Sequence, residues 1–200
     1  MNGTAPRYIG LDDLRDYLSN SGELGTWQDG LLTDCILRAE GAIDTYTRRV
    51  FAGAPGTVYY SRYMADRVRG NAFYLDRDLY ALDGVINGDG APIPVGSCWT
   101  EPRNAGPPYR LVRLKSSYVY TWNTDSDVTF YGTWGFSLHA PADIQQATVR
   151  YSAYLFKQKD VGVSDVAGAP EMGEVTYKRG MPDDVRYLLE PYRSRTGGAY

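Results

Sequence analysis

Apolar residues recur at helical spacing in two stretches near the start of the chain. In the first, Leu11, Leu14, Tyr17 and Leu18 form one stripe, and Gly10 is a candidate N-cap residue. The second follows a loose capping-box pattern over residues 26–29, and its stripe is Leu32, Cys35, Ile36, Ala39, Ile43, Tyr46 and Val50. It predicts one long helix of roughly 35 Å at ~1.5 Å per residue. Gly41 inside it indicates the close approach of another element.

Helical periodicity returns near the end of the chain. One helix is predicted to begin at Pro141, with Asp143 in its first turn, and to end between residues 157 and 160. Its apolar face is Ile144, Ala147, Tyr151, Tyr154 and Leu155. A last helix is predicted to begin at Pro182 and to kink or end at Pro191. Residues 161–180 are predicted to form a loop, and residues 197–200 a frayed tail.

The middle of the chain instead has short segments rich in Tyr, Val and Thr, separated by Gly, Pro and Asn, which is typical of strands joined by turns. The predicted strands are 58–64, 71–75, 85–87, 110–114, 117–122 and 128–131. Residues 87–90, Asn-Gly-Asp-Gly, predict a hairpin turn. Residues 91–108 are rich in proline and predict an ordered loop rather than a central strand.

The predicted fold class is α+β. A small helical bundle, made of the long N-terminal helix and the C-terminal helices, carries an inserted antiparallel β region. We expect one domain overall, divided into core helices over 1–51, a β-rich insert over 52–135, a core helix over 136–160, and a loop with a final helix over 161–200.

Charge and composition narrow the class of protein. The net charge of −3 over 200 residues argues against wide, tight binding of nucleic acid. The 18 tyrosines and an arginine-rich basic set are typical of interfaces, although codon bias and β-propensity explain them equally well. No stretch approaches 18 apolar residues and the N-terminus has no apolar export signal, so we expect synthesis in the cytoplasm and no membrane association.

Candidate catalytic residues are few. His139 is the only histidine, which excludes a histidine pair within one chain. Residues 135–139 imitate a nucleophile elbow around Ser137 but lack its closing glycine. A dyad of Cys98 and His139 has no supporting pattern, and Cys35 fits a helix face as a small buried residue. We therefore expect a protein that is not an enzyme.

Candidate metal ligands are two Asp-x-Asp pairs, Asp76 with Asp78 and Asp125 with Asp127, because carboxylate oxygens suit Mg²⁺ or Ca²⁺. Both pairs lie beside predicted turns, where aspartate commonly caps backbone groups, and this second interpretation is favoured. The glycines at 84, 88 and 90 lack the following helix and the ending of a phosphate-binding loop. No cofactor or metal is expected.

The aromatic residues of the β region leave two interpretations open. Trp99, Trp122 and Trp134 could stack sugars or bases, and residues 110–122 form a basic aromatic ribbon suited to single-stranded nucleic acid. The favoured interpretation is that they form the core and cross-strand pairs of a sheet. A carbohydrate- or ligand-binding module, with exposed aromatics between Tyr59 and Trp122, is the alternative function.

Three segments, taken in order, resemble the head-tail connector (adaptor) proteins of tailed bacteriophages. The first is YIGLDDLRDYL followed by LLTDCILRAEGAIDTYTRRVF, which is similar to the family's short helix, loop and long helix. The second is DVTFYGTWGFSLHAPADIQQATVRYSAYLFKQKD, similar to its strand, Gly-Trp-Gly turn and helix entry. The third, GEVTYKRGMPDDVRYLLEPYRSR, is similar to its closing segment. The middle of the chain, especially residues 91–108, matches only in general character.

The resemblance implies a structural subunit of a homo-oligomeric ring, twelve-fold in the family, located in the neck of the virion. Such a ring docks to the portal protein after DNA packaging and presents a surface to the next neck, stopper or tail protein, while DNA passes through its channel without specific binding. In the family the C-terminal segment engages the portal. The matching positions are Val185, Leu188, Leu189, Tyr192 and Arg193. Truncation before Met181 is then expected to abolish attachment to portal-bearing heads.

Overall fold

Helices and strands separate into two units along the chain. The computed structural model describes residues 7–19, 26–61, 66–115, 119–158 and 180–194. One unit contains Arg49–His139, and the other contains Arg7–Arg48 together with the described part of Ala140–Tyr200. The first unit holds all the strands and the second all the α-helices of the described residues, which confirms the α+β class.

The helical unit has four α-helices in its described residues. They are α1 (Leu11–Ser19), α2 (Asp29–Thr47), α3 (Ala142–Gln158) and α4 (Asp183–Leu189). Single 3₁₀ turns, Thr26–Gln28 and Glu190–Tyr192, precede α2 and follow α4. None of the described helices is both long enough and apolar enough to cross a membrane.

The predicted start of α1 is confirmed. The backbone N–H of Gly10 donates to Asp13 Oδ2 at 2.7 Å, which satisfies a group that a helix start leaves free. Leu14 and Leu18 are buried in a core that also receives α2 and α3. Tyr17, predicted to share their stripe, is instead 49% exposed. The core members are Ile9, Leu14, Leu18, Leu32, Cys35, Ile36, Ala153 and Phe156.

Helix α2 is shorter than the periodicity predicts. Its 19 residues span about 28 Å, because the chain turns at Arg48, whose φ of 56° is left-handed. Val50 therefore lies outside the helix and is 51% exposed. Gln28 makes no side-chain capping bond. The prediction for Gly41 was also wrong, since a Cβ added there would meet nothing within 4 Å beyond its own helix and chain neighbours.

Most of the predicted start and end points of the two C-terminal helices agree with the structure. Helix α3 begins one residue after Pro141 and has Asp143 in its first turn and Lys157 in its last. Helix α4 follows Pro182, and Pro191 lies in the 3₁₀ turn that ends it. The predicted loop, 161–180, and the predicted tail, 197–200, lie outside the described residues except for Gly180.

The other unit is an antiparallel sheet with the path β1-β7-β3-β6-β5, in which β2 and β4 also pair with β3. The strands are β1 (Ala54–Tyr60), β2 (Val68–Arg69), β3 (Ala72–Ile86), β4 (Pro92–Ile93), β5 (Cys98–Glu101), β6 (Tyr109–Leu114) and β7 (Val128–Trp134).

Two strand predictions were wrong in instructive ways. The predicted strands 71–75 and 85–87 belong to one 15-residue strand, β3, whose register shifts at bulges let it pair first with β6 and then with β7. The predicted strand 117–122 is no strand over its described part, 119–122. The proline-rich segment contains β4 and β5 as well as loop.

The predicted hairpin turn is confirmed between β3 and β4. Gly90 N donates to the Asn87 carbonyl at 2.9 Å, and Gly90 has a φ of 80°. A left-handed conformation of this kind suits glycine, which has no Cβ to clash with the backbone.

One face of the sheet carries an aromatic core. The Phe73 ring meets Phe130, Trp122 and Tyr60 in edge-to-face pairs with centroids 4.9 to 5.2 Å apart. Leu75, Leu79, Val85, Ile93, Cys98, Val112, Leu114 and Val128 complete the buried cluster. This core uses residues of every long strand.

Candidate interaction surface

The C-terminal helix has one buried and one exposed face. Val185 and Leu189 are fully buried within the helical unit. Both were predicted to contact a partner; their side chains have no exposed surface in the described conformation, and the contact itself stays a prediction. Leu188 is half-buried.

The other two predicted contact residues lie at the end of the chain's described part. The half-buried Tyr192 donates its hydroxyl to Asp143 Oδ2 at 3.1 Å. The Arg193 guanidinium lies 5.2 Å from the centre of the Tyr46 ring and 3.4 Å from Glu190 Oε1, with about half of its side chain exposed (52%). Tyr46 donates to the other oxygen of Glu190 at 2.9 Å. This network fixes the 3₁₀ turn against α2.

Tyr187 is the residue that sequence reasoning missed. It is 82% exposed, the most exposed large apolar side chain among the described residues. With Glu190, Pro191, Arg193 and Ser194 it lines an open depression of about 640 Å³. The helical spacing contained the signal, because Val185, Leu189 and Tyr192 share the inward face and position 187 lies opposite. Exposed aromatic and arginine side chains together are typical of interface anchors.

A carboxylate pair on α2 faces the segment that precedes α1. Glu40 Oε1 accepts a hydrogen bond from the Tyr8 backbone at 2.8 Å, and its other oxygen lies 3.2 Å from Arg7. The Tyr8 hydroxyl donates to Asp44. Burial raises the pKa of Asp44 to about 6 with a smaller contribution from Glu40, and the Tyr8 hydrogen bond only partly offsets this.

Both carboxylates of the first Asp-x-Asp pair form ion pairs with arginines. Asp78, whose side chain is 4% exposed, lies 3.1 Å from Arg49 Nη1 and 2.8 Å from Arg110 Nη2. Asp76 instead accepts from the Tyr60 hydroxyl at 2.6 Å and lies 3.5 Å from Arg67. Each carboxylate already has a cationic partner, so the arrangement disfavours a metal ion.

The second pair lies on the surface. Asp125 and Asp127 are both exposed, and the backbone N–H of Asp125 donates to Asn123 Oδ1 at 2.8 Å. That contact is an Asx-type turn, as the favoured interpretation predicted. Within the described residues, no group of three His, Cys, Asp or Glu side chains could hold a metal ion.

The candidate nucleophiles make structural contacts. Ser137 Oγ donates to the backbone carbonyl of His139 at 2.6 Å and lies 3.1 Å from that of Phe51, while His139 itself is exposed. Burial raises the pKa of the Cys98 thiol to about 11 despite Lys115, so it is protonated at neutral pH. Cys35 lies in the helical core.

The tryptophans of the sheet unit are mostly engaged in packing. The Trp122 indole donates to the Asn71 carbonyl at 2.9 Å and packs on Phe73. Trp134 donates to the Gly56 carbonyl at 3.1 Å. Trp99 is 38% exposed, but the Arg103 guanidinium lies over its ring at 3.6 Å. Among the described residues of the sheet unit, the exposed tyrosines are Tyr59 and Tyr131, which lie on β1 and β7.

Comparison with known proteins shows a likeness in structure. No protein-family model matches this chain, and no curated protein matches it. A chain in the neck of the empty GTA particle, computed with C6 symmetry, superposes with a TM-score of 0.65 at 20% identity, covering 99% of this chain and 97% of that one. Chains in the virion of the native gene transfer agent (GTA) particle and in its neck computed with C12 symmetry give TM-scores of 0.64 and 0.63, at 20% and 18% identity. They cover 100% and 99% of this chain and 97% of each of those chains. This chain therefore has the fold of components of the GTA neck and virion over nearly its whole length.

Proposed function

We propose that this chain is a structural subunit of a head-tail connector ring in a phage-like particle. The observation that carries the proposal is the full-length match in fold to components of GTA neck and virion structures. The resemblance of both ends of the sequence to bacteriophage adaptor proteins supports the same function independently of the fold. The subunit would act by binding and positioning other proteins, not by catalysis.

The proposed ring consists of copies of this chain, twelve in the bacteriophage family, and lies in the neck of the particle. It would dock to the portal protein after DNA packaging and present its other side to a neck, stopper or tail protein. The mildly acidic net charge supports a channel through which DNA passes without specific binding.

The proposed portal contact lies on the exposed face of α4 and the turn after it, with Tyr187 as its centre and Arg193 beside it. The exposure of Tyr187 and the adjoining depression support this choice. Leu188 and Tyr192 are half-buried and would contribute only at the margin, whereas Val185 and Leu189 hold the helix in place.

Attachment to heads tests the proposal. Portal-bearing heads made without this chain are mixed with the purified protein and sedimented, and the wild-type chain is expected to sediment with them. Failure of the folded wild-type chain to bind such heads would contradict the proposed function. Heads that lack portal protein are the control and are expected to bind none.

A single substitution locates the contact. Tyr187→Ala is expected to reduce head attachment at least about tenfold. A central interface tyrosine commonly contributes about 2 kcal/mol or more to the binding free energy. Tyr17→Ala, at another exposed helix tyrosine, is the matched control. Truncation before Met181 is a weaker test, since it also removes the buried Val185 and Leu189.

A further inference from the structure

The two open edges of the sheet differ in how they are protected. Among the described residues, β1 pairs only with β7 and β5 pairs only with β6. β5 has four residues, its Glu101 is 2.7 Å from Arg113, and Arg103 covers Trp99. Short length and charged side chains of this kind are devices that keep an edge from pairing with another chain.

β1 has neither of these two protections, and the residue in it that does discourage pairing, Pro55, lies near its N-terminal end. Its seven residues, APGTVYY, include no charged side chain, and neither does its partner strand β7, VTFYGTW. Tyr59 is 65% exposed and Tyr131 is 41% exposed, and both belong to the face of the sheet opposite the aromatic core. A long uncharged edge beside exposed aromatics is a template for strand addition.

The position of Pro55 indicates which backbone groups of β1 point outward. Because Pro55 has no N–H to donate, we expect its nitrogen on the side of β1 that faces away from β7. The neighbouring Gly56 carbonyl accepts the Trp134 indole, 3.1 Å away on β7, which agrees with this orientation. Since N–H directions alternate along a strand, Thr57 and Tyr59 direct their N–H and carbonyl groups outward.

We infer that the outer edge of β1, with Thr57 and Tyr59 at its centre, is the surface through which one copy of this chain pairs with the next in the ring. The inference rests on the proposed function, because a ring requires every copy to present one surface to a different surface of its neighbour. Self-pairing of β1 about a two-fold axis would instead end at a dimer.

Photo-crosslinking in assembled particles tests the inference. A benzophenone amino acid replaces Tyr59, the particles are purified and irradiated, and adducts are detected with an antibody to this chain. A ladder of self-adducts at two, three and more chain masses is expected. The same amino acid in place of Tyr17 is the control and is expected to give no ladder.

Each other outcome overturns the inference. Adducts that stop at two chains indicate two-fold pairing, adducts to a different particle protein indicate another partner, and an absence of adducts indicates that the edge is free. The chain's presence in particles is measured separately by mass spectrometry. If the wild-type chain is absent from neck-bearing particles, the proposed function fails as well.

Proline substitution provides a second test that separates assembly from folding. Thr57→Pro removes an outward N–H and is expected to lower incorporation into particles by roughly tenfold or more, with little change in Tm. Val58→Pro removes an N–H that faces β7 and is expected to lower Tm itself. Normal incorporation of Thr57→Pro would overturn the inference.

Discussion

Asp78 is a buried charged residue of the sheet unit. It accepts hydrogen bonds from Arg49 and Arg110, so one carboxylate serves two guanidinium groups. The Arg49 guanidinium also lies 5.3 Å from the centre of the Phe136 ring, which brings an aromatic face into the same cluster. Removal of the carboxylate would leave two partly buried cations facing each other.

We expect Asp78→Ala to lower the free energy of unfolding by about 2 to 4 kcal/mol, as is typical when one partner of a buried ion pair is lost. Urea denaturation measures the change. Asp83→Ala, at an exposed aspartate of the same strand, is the control and is expected to change stability by less than about 0.5 kcal/mol. Equal effects of the two substitutions would contradict the role assigned to Asp78.

Asp44 makes the stability of the helical unit depend on pH. Its pKa is raised from 3.8 to about 6, so between these values the folded chain binds more protons than the unfolded chain. Stability therefore falls as pH rises through this window. The free-energy cost of holding the ionised Asp44 carboxylate in the folded chain persists above pH 6.

Asp44→Asn is expected to remove this penalty. The shift corresponds to about 3 kcal/mol before solvent screening, and we expect about 1 to 2 kcal/mol of stabilisation at pH 7.5 and almost none at pH 4. Denaturation curves at both values measure the difference, with the exposed Asp34→Asn on the same helix as control. A loss of stability at pH 7.5 would show that the ionised carboxylate is favourable.

Individual residues were predictable where periodicity decides their environment. The inward positions of α4 follow from the helical spacing alone. The same spacing places Tyr187 on the opposite, exposed face, so its exposure was predictable as well. The role of Asp78 was not predictable, because Arg49 and Arg110 are 29 and 32 residues away and reach it only through the fold. Local patterns do not specify contacts of that kind.

At the level of elements, the backbones of β7 and β3 approach each other so closely that Gly132 has no room for a side chain. A Cβ at Gly132 would lie 2.2 Å from the Ala81 carbonyl oxygen, which no side-chain adjustment can relieve. Across the β1–β7 pair, Gly56 lies directly opposite Gly132, and a Cβ there would meet only the Trp134 ring at 3.5 Å.

Gly132→Ala is therefore expected to destabilise the chain by roughly 2 kcal/mol or more, since an inserted methyl group must displace a strand. Gly56→Ala is the matched control and is expected to cost less than about 1 kcal/mol. Thermal denaturation compares them. A Gly132→Ala variant as stable as Gly56→Ala would mean that β3 moves away at little cost.

Helices were predicted better than strands for a physical reason. The ends of α1, α3 and α4 are marked by local capping and proline chemistry, which a sequence displays directly. The continuity of β3 depends on bulges and on two different partner strands, which are tertiary features. The early end of α2 depends on a left-handed Arg48, a conformation that arginine rarely signals.

For the whole molecule, net charge leads to a prediction about DNA. With a formal charge of −3, we expect no binding of duplex DNA detectable by fluorescence anisotropy at 150 mM salt, since phosphate neutralisation requires a basic excess. Measurement at 20 mM salt is the control for weak, screened attraction. Tight binding at 150 mM would contradict a channel that lets DNA pass freely.

The tryptophans give the two units different optical signals. Three of the four, Trp99, Trp122 and Trp134, belong to the sheet unit, and Trp122 packs directly on the Phe73–Phe130 core. Intrinsic fluorescence should therefore follow the melting of the sheet unit, whereas circular dichroism at 222 nm should follow the helices of the other unit. Coincident transitions would mean that the chain unfolds as one cooperative body, and separated transitions that each unit has its own stability.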